Sequence, residues 1–107
     1  MVRSAEEVTL LSRKALQALD HELPIKAAYL FGSYASGNAG ADSDVDLAVF
    51  TPEASRLKIA DKSRLQLQVQ HLCGFDWELH LYPDTALDQA RQTNFYGYIL
   101  QYGKRLR

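Results

Sequence analysis

Apolar residues near the N-terminus recur at helical spacing. Val8, Leu11, Ala15, Leu16 and Leu19 share one stripe, and Ser4-Ala5-Glu6-Glu7 before them has the Ser-x-x-Glu form of a capping box. A helix from about residue 5 to His21 is expected, with its stripe in the core. Pro24 ends the connection, and the apolar run from Ile25 to Phe31 predicts a first strand, Lys26 being a solvated strand end. A polar, glycine-rich loop follows, and the chain re-enters an apolar run over 44–50, a second strand. Thr51-Pro52-Glu53 reads as a helix start: Thr51 caps, Pro52 takes the first helical position, and Glu53 sits near the positive end of the dipole. Leu57, Ile59, Ala60, Leu65, Leu67, Val69 and Leu72 carry that helix to about Cys73, where Gly74 closes it. Residues 75–82 alternate strictly, with Phe75, Trp77, Leu79 and Leu81 on one face and Asp76, Glu78, His80 and Tyr82 on the other, as a half-buried strand does. Asp84 or Thr85 can cap a last helical region, whose Phe95, Tyr96, Tyr98, Ile99, Leu100 and Tyr102 finish the core and leave some aromatic surface for an interface. The sum is an α/β domain: a mixed sheet of strands 25–31, 44–50 and 75–82 with helices packed mainly on one side.

At 107 residues the chain is expected to be one domain, spanning 1–107, with room for a single core and none for a separate substrate domain. A formal charge of −1 gives no electrostatic footprint for gripping long nucleic acid, so no stable nucleic-acid binding is expected. One cysteine, Cys73, cannot form an internal disulfide, the N-terminus lacks the apolar core of a signal peptide, and no apolar run reaches membrane-spanning length. The cytoplasm is the expected compartment. Arg56, Lys58, Lys62 and Arg64 give the second helix a basic side, either a solvated face or a docking surface for an acidic partner or a triphosphate.

The chemistry lies between the first two strands. Gly32 permits a close backbone turn, and Ser33 offers a hydroxyl and an N–H, the parts of an anion-holding loop. Asp44 and Asp46, at i and i+2 of a strand, share one face at a backbone separation of about 7 Å. Such a pair repels itself unless a cation lies between. Phosphate donors beside paired carboxylates suggest a nucleoside triphosphate with Mg²⁺, which takes one or two carboxylates plus phosphate oxygens. Asp42, Asp44, Asp46 and Glu53 imitate an EF-hand loop, but that loop needs Gly where Leu47 stands, and Leu47 to Phe50 is apolar. Read alone, Asp42 to Asp46 is equally a turn-forming cluster before a core strand.

The Gly32-Ser33 pair, ten intervening residues and then Asp44-x-Asp46, flanked by apolar runs, resemble the signature of the nucleotidyltransferase superfamily that includes DNA polymerase beta, and most closely its minimal single-domain members (MNT). The resemblance covers most of the chain. It implies two-metal nucleotidyl transfer, with Ser33 helping to hold the triphosphate, Asp44 and Asp46 binding Mg²⁺ (or Mn²⁺), and ATP as donor. It also implies a third carboxylate on a later strand. The minimal members have Gly, three residues, an acid and an apolar residue there, which maps onto Gly74 and Glu78; Asp76 is the reserve candidate. His80 shares that face and either contacts substrate or is an exposed strand histidine. The family's Gly-Ser-x-Ala-Arg-Gly has Ser36 in place of arginine, a departure that touches the triphosphate site and leaves the acids intact.

Three functions follow from the resemblance. The first adds AMP to a protein hydroxyl, a tyrosine of a HEPN-family toxin for which the chain is the antitoxin. The second modifies a small molecule of the aminoglycoside type. The third is a non-catalytic antitoxin acting by contact. Intact acids favour the first over the third, and a homo-oligomer stays open.

Overall fold

The structure, a computed structural model, describes residues 4–32, 44–91 and 93–107. Ser33, Ser36 and Asp42 lie outside the described residues.

Helix α1 spans Ala5–Leu19, and the Ser4 hydroxyl accepts from the Glu7 N–H at 3.1 Å, as the capping sequence requires. Strands β1 (Ala27–Phe31) and β2 (Val45–Thr51) pair antiparallel, with Phe31 opposite Asp46. Helix α2 (Ile59–Cys73) then crosses to β3 (Trp77–Pro83), which lies parallel to β2 with Asp46 opposite Glu78 and Ala48 opposite His80. A 3₁₀ helix (Asp84–Gln89), helix α3 (Phe95–Tyr102) and a two-residue strand β4 (Lys104–Arg105) complete a mixed sheet of order β3-β2-β1-β4.

Alternation divides the sheet's side chains between two cores. Ala28, Leu30, Val45, Leu47, Val49 and Trp77 pack with α1 and α2. Tyr29, Phe31, Ala48 and Phe50 pack on the opposite face with Ala86 and Ile99 from the C-terminal segments. The larger core is pinned by a buried polar contact, the Trp77 Nε1–H donating to the Ser12 hydroxyl at 3.1 Å. No described helix is long and apolar enough to cross a membrane.

The element boundaries differ from the sequence reading in several places: β1 begins at Ala27 rather than Ile25, and α1 ends at Leu19 rather than His21. Thr51 does not start α2. It ends β2 in full burial, and its hydroxyl accepts from the Glu53 N–H within a turn, while α2 begins after Lys58, whose N–H donates to the Asp61 carboxylate. The strand at 75–82 begins two residues late. Phe75 is 90% exposed in the turn after Gly74, where an apolar residue continued the alternation of a strand it does not belong to. Neither Asp84 nor Thr85 caps a helix by its side chain, since Pro83 stands at the N-cap of the 3₁₀ segment. Of the basic residues assigned to one helix face, Arg56 lies in the turns before α2 and pairs with Glu53, while Arg64 of α2 pairs with Glu22.

Candidate active site

Asp46 opens onto the sheet face opposite α1 and α2, beside the turn that ends β1. The turn residue, Gly32, has φ 81°, and a Cβ built there would lie 2.6 Å from Asp46 Oδ2. Gly32 is therefore required twice, for its backbone conformation and for the approach of the carboxylate. We expect Gly32→Ala to cost about 1–2 kcal/mol through the left-handed backbone alone, and to displace the Asp46 carboxylate as well. Thermal unfolding and the divalent-cation affinity should fall together. A variant as stable as wild type, with unchanged cation affinity, would show that the close approach is not needed.

The parallel register brings Glu78 alongside Asp46, and His80 completes the group. Ligand atoms of Asp46, Glu78 and His80 all lie within 4.8 Å of one another. The His80 Nε2 is 3.1 Å from Asp46 Oδ1, and its ring lies 5.1 Å from Phe31 and stacks at 6.3 Å on Tyr82. Adjacent like charges on neighbouring strands destabilise a sheet, so two carboxylates here favour a cation between them. Oxygen and nitrogen donors converging on one partly exposed point fit a divalent metal.

Two sets of contacts hold Glu78 in place. On one side β3 is bonded to β2; on the other it is a sheet edge, and Gln66 of α2 closes it. The Gln66 side chain donates to the Trp77 carbonyl at 2.8 Å and accepts from the Leu79 N–H at 2.6 Å, so it brackets Glu78 along the backbone. Gln70 extends this edge by donating to the Phe75 carbonyl at 3.2 Å.

Asp44 stands one residue before β2, exposed, and is not in the three-residue group. It lines a groove of about 400 Å³ with Gln66, Gln70, Phe75, Asp76 and Glu78, so Glu78 belongs both to the group around Asp46 and to this groove. Asp76 lies in the turn before β3, where its carbonyl accepts from the Val45 N–H at 2.8 Å. Burial chiefly, then the neighbouring Tyr96, Asp46 and Glu78, push the Tyr82 hydroxyl above its ordinary 10.0. Tyr82 is thus neutral throughout the physiological range, and its raised value costs stability only in solution more alkaline than that.

The sequence reading placed His80 on the right face without assigning it to the site, and it missed Gln66. The signal for His80 was its position two residues after Glu78. Nothing in the spacing of α2 marks Gln66, because its partners are backbone groups of another element.

The site is thus a pair of carboxylates from two adjacent strands of a small α/β domain, converging beside a glycine turn. The chain belongs to the nucleotidyltransferase domain family, which it matches over residues 12–102. It is similar, at 25% identity and a TM-score of 0.65, to a toxin–antitoxin crystallised with AMP-PNP, over 90% of this chain and 72% of that one. It shares its fold with the MntA–HepT toxin–antitoxin (23% identity, TM-score 0.59, 92% and 70% covered). It does so too with a complex of tri-AMPylated Shewanella oneidensis HEPN toxin and MNT antitoxin (22%, 0.61, 94% and 71%). A search of curated protein sequences gives no significant match.

Proposed function

We propose that the protein is an antitoxin that transfers AMP from ATP to a tyrosine hydroxyl of a HEPN-family toxin. The observation that carries this reading is the convergence of Asp46 and Glu78 on adjacent strands at the open end of a nucleotidyltransferase sheet. Similarity to a toxin–antitoxin with AMP-PNP supports the adenine nucleotide and a toxin partner, and the fold shared with an antitoxin bound to a tri-AMPylated HEPN toxin supports the partner class. Asp44, Asp46 and Glu78 are the proposed catalytic and metal-holding groups, and Gly32 with Ser33 the triphosphate turn. Divalent ions bound there, Mg²⁺ or Mn²⁺, would neutralise charge on the phosphates and on the attacking and leaving oxygens.

In the proposed reaction the acceptor oxygen bonds to the α-phosphorus, and the bond from that phosphorus to the bridging oxygen breaks. Pyrophosphate leaves, and Glu78 takes the hydroxyl proton. Glu78 suits this role because it belongs both to the group around Asp46 and to the groove from which an acceptor could enter. The half-exposed rings of Phe95, Tyr98 and Tyr102 offer aromatic surface to a partner, and Phe95 lies 5.7 Å from Phe31, itself in contact with His80. The partner would supply both the hydroxyl and the surface that positions it.

A second reading has support in the groove itself. Asp44, Asp76 and Glu78 beside Phe75 would suit a cationic small molecule of the aminoglycoside kind as acceptor.

The test is incubation with ATP labelled at the α-phosphate, Mg²⁺ and a HEPN-family toxin from the same genome. Label should move to a tyrosine of the partner with release of pyrophosphate. Label on an aminoglycoside and none on the partner would select the second reading. Protection of cells by a transfer-dead variant as complete as that by wild type would show that neutralisation rests on contact alone.

A further inference from the structure

We propose that the His80 imidazole is itself a metal ligand, so that Asp46, Glu78 and His80 form a mixed oxygen–nitrogen site that prefers Mn²⁺ or Co²⁺ to Mg²⁺. The inference deepens the metal assignment above and rests on the same site. It does not depend on the acceptor.

The first argument is spacing. A six-coordinate ion with bonds of about 2.1 Å holds neighbouring ligand atoms about 3 Å apart and opposite ones a little over 4 Å apart. The His80 Nε2 and Asp46 Oδ1 already stand 3.1 Å apart, and with an oxygen of Glu78 they lie within 4.8 Å of one another. One octahedral edge, between His80 and Asp46, is therefore already at its required length, Glu78 stands close enough to move onto a third position, and a cation entering there takes the place of the hydrogen bond between nitrogen and oxygen.

The second argument is rigidity. Asp46 and Glu78 are opposite one another in the β2–β3 register, and His80 follows two residues on, opposite Ala48, whose small side chain adds no bulk beside the ring. Phe31 and Tyr82 flank the imidazole. A ring held this way needs little reorganisation to bind.

The third argument is donor chemistry. Mg²⁺ takes oxygen and keeps its water, whereas imidazole nitrogen suits first-row transition ions. A histidine among the ligands shifts preference toward Mn²⁺ and Co²⁺ without excluding Mg²⁺. The rival account leaves His80 as a hydrogen-bond donor that only orients Asp46.

Electron spin echo spectroscopy of Mn²⁺ bound to the nucleotide-free protein separates the two. We expect modulation from one directly coordinated nitrogen, changed by ¹⁵N-histidine labelling and lost in His80→Gln. That variant should weaken Mn²⁺ binding at least about tenfold while changing Mg²⁺ binding far less. Asp46→Asn should abolish binding of both ions. Bound Mn²⁺ with no nitrogen coupling, equal losses for both ions in His80→Gln, or no Mn²⁺ binding by wild type would each overturn the proposal. Adenylyl transfer in Mg²⁺ that persists alongside any of those results leaves the reaction standing and removes only the histidine ligand. Nitrogen coupling in a protein that transfers nothing does the reverse.

Discussion

Replacing Asp44 and Asp46 together by Asn should leave the protein folded and remove its response to divalent cations and ATP. A ligand bound only to the native state at a hundred times its Kd stabilises by about 2.7 kcal/mol. In a domain of this size that raises Tm by about 10 °C. Wild type should show such a rise with Mg²⁺ or Mn²⁺ and ATP, and the double variant none. Folding should survive because Asn keeps the volume of Asp beside Gly32 and can still bond the His80 imidazole, while it relieves repulsion between Asp46 and Glu78. Transfer should fall by at least about a thousandfold, since the charge that concentrates the cation at the phosphates is gone. The single variants separate the two acids. Asp46 lies inside the group with Glu78 and His80 and Asp44 outside it, so Asp46→Asn should cost more cation affinity than Asp44→Asn. Equal thermal shifts in wild type and double variant would remove the metal site from consideration.

Glu78→Gln should abolish transfer while leaving part of the ATP-dependent stabilisation, because Asp44 and Asp46 still attract a cation to the phosphates. A positioned general base contributes about 10²–10⁴-fold, and the loss should appear in kcat more than in KM. Asp76→Asn should stay within a few-fold of wild type. The reason is where each acid sits: Glu78 is within β3, paired with β2 opposite Asp46 and flanked by Trp77 and Leu79, whose backbone groups bond Gln66, while Asp76 belongs to the turn before the strand. An inactive Asp76→Asn beside an active Glu78→Gln would mean that the third acid lies two residues upstream, in the turn.

The contrast between those two acids marks where a one-dimensional pattern stops being informative. Strict alternation over 75–82 cannot tell Asp76 from Glu78, because both lie on the same nominal face. Phe75 made the pattern start two residues before the strand does. Only pairing with β2, which begins at Val45 opposite Trp77, fixes where β3 starts. The same limit explains α2: Thr51-Pro52-Glu53 has the chemistry of a helix start, but β2 claims Thr51, and the hydroxyl is spent on a turn. Strand β4 gave no apolar signal at all, because Lys104 and Arg105 form an exposed edge held by backbone bonds to β1.

What the sequence determined by itself is local and periodic. The stripe of α1, its Ser4 cap, the apolar runs of β1 and β2, the two faces of β3 and the glycine turn before paired acids are each set by residues close together in the chain, where sterics and spacing act without help. Tertiary structure decided what depends on residues far apart. The parallel register of β2 and β3 sets Glu78 beside Asp46, leaves Asp44 at the groove, and turns His80 from a surface histidine into a member of the site. Gln66, twelve residues before Glu78 and in a different element, fixes that acid through backbone groups that carry no sequence signature. Pairing across such distances is governed by the burial of whole faces and by the need to satisfy every backbone donor, and these are properties of the assembled sheet.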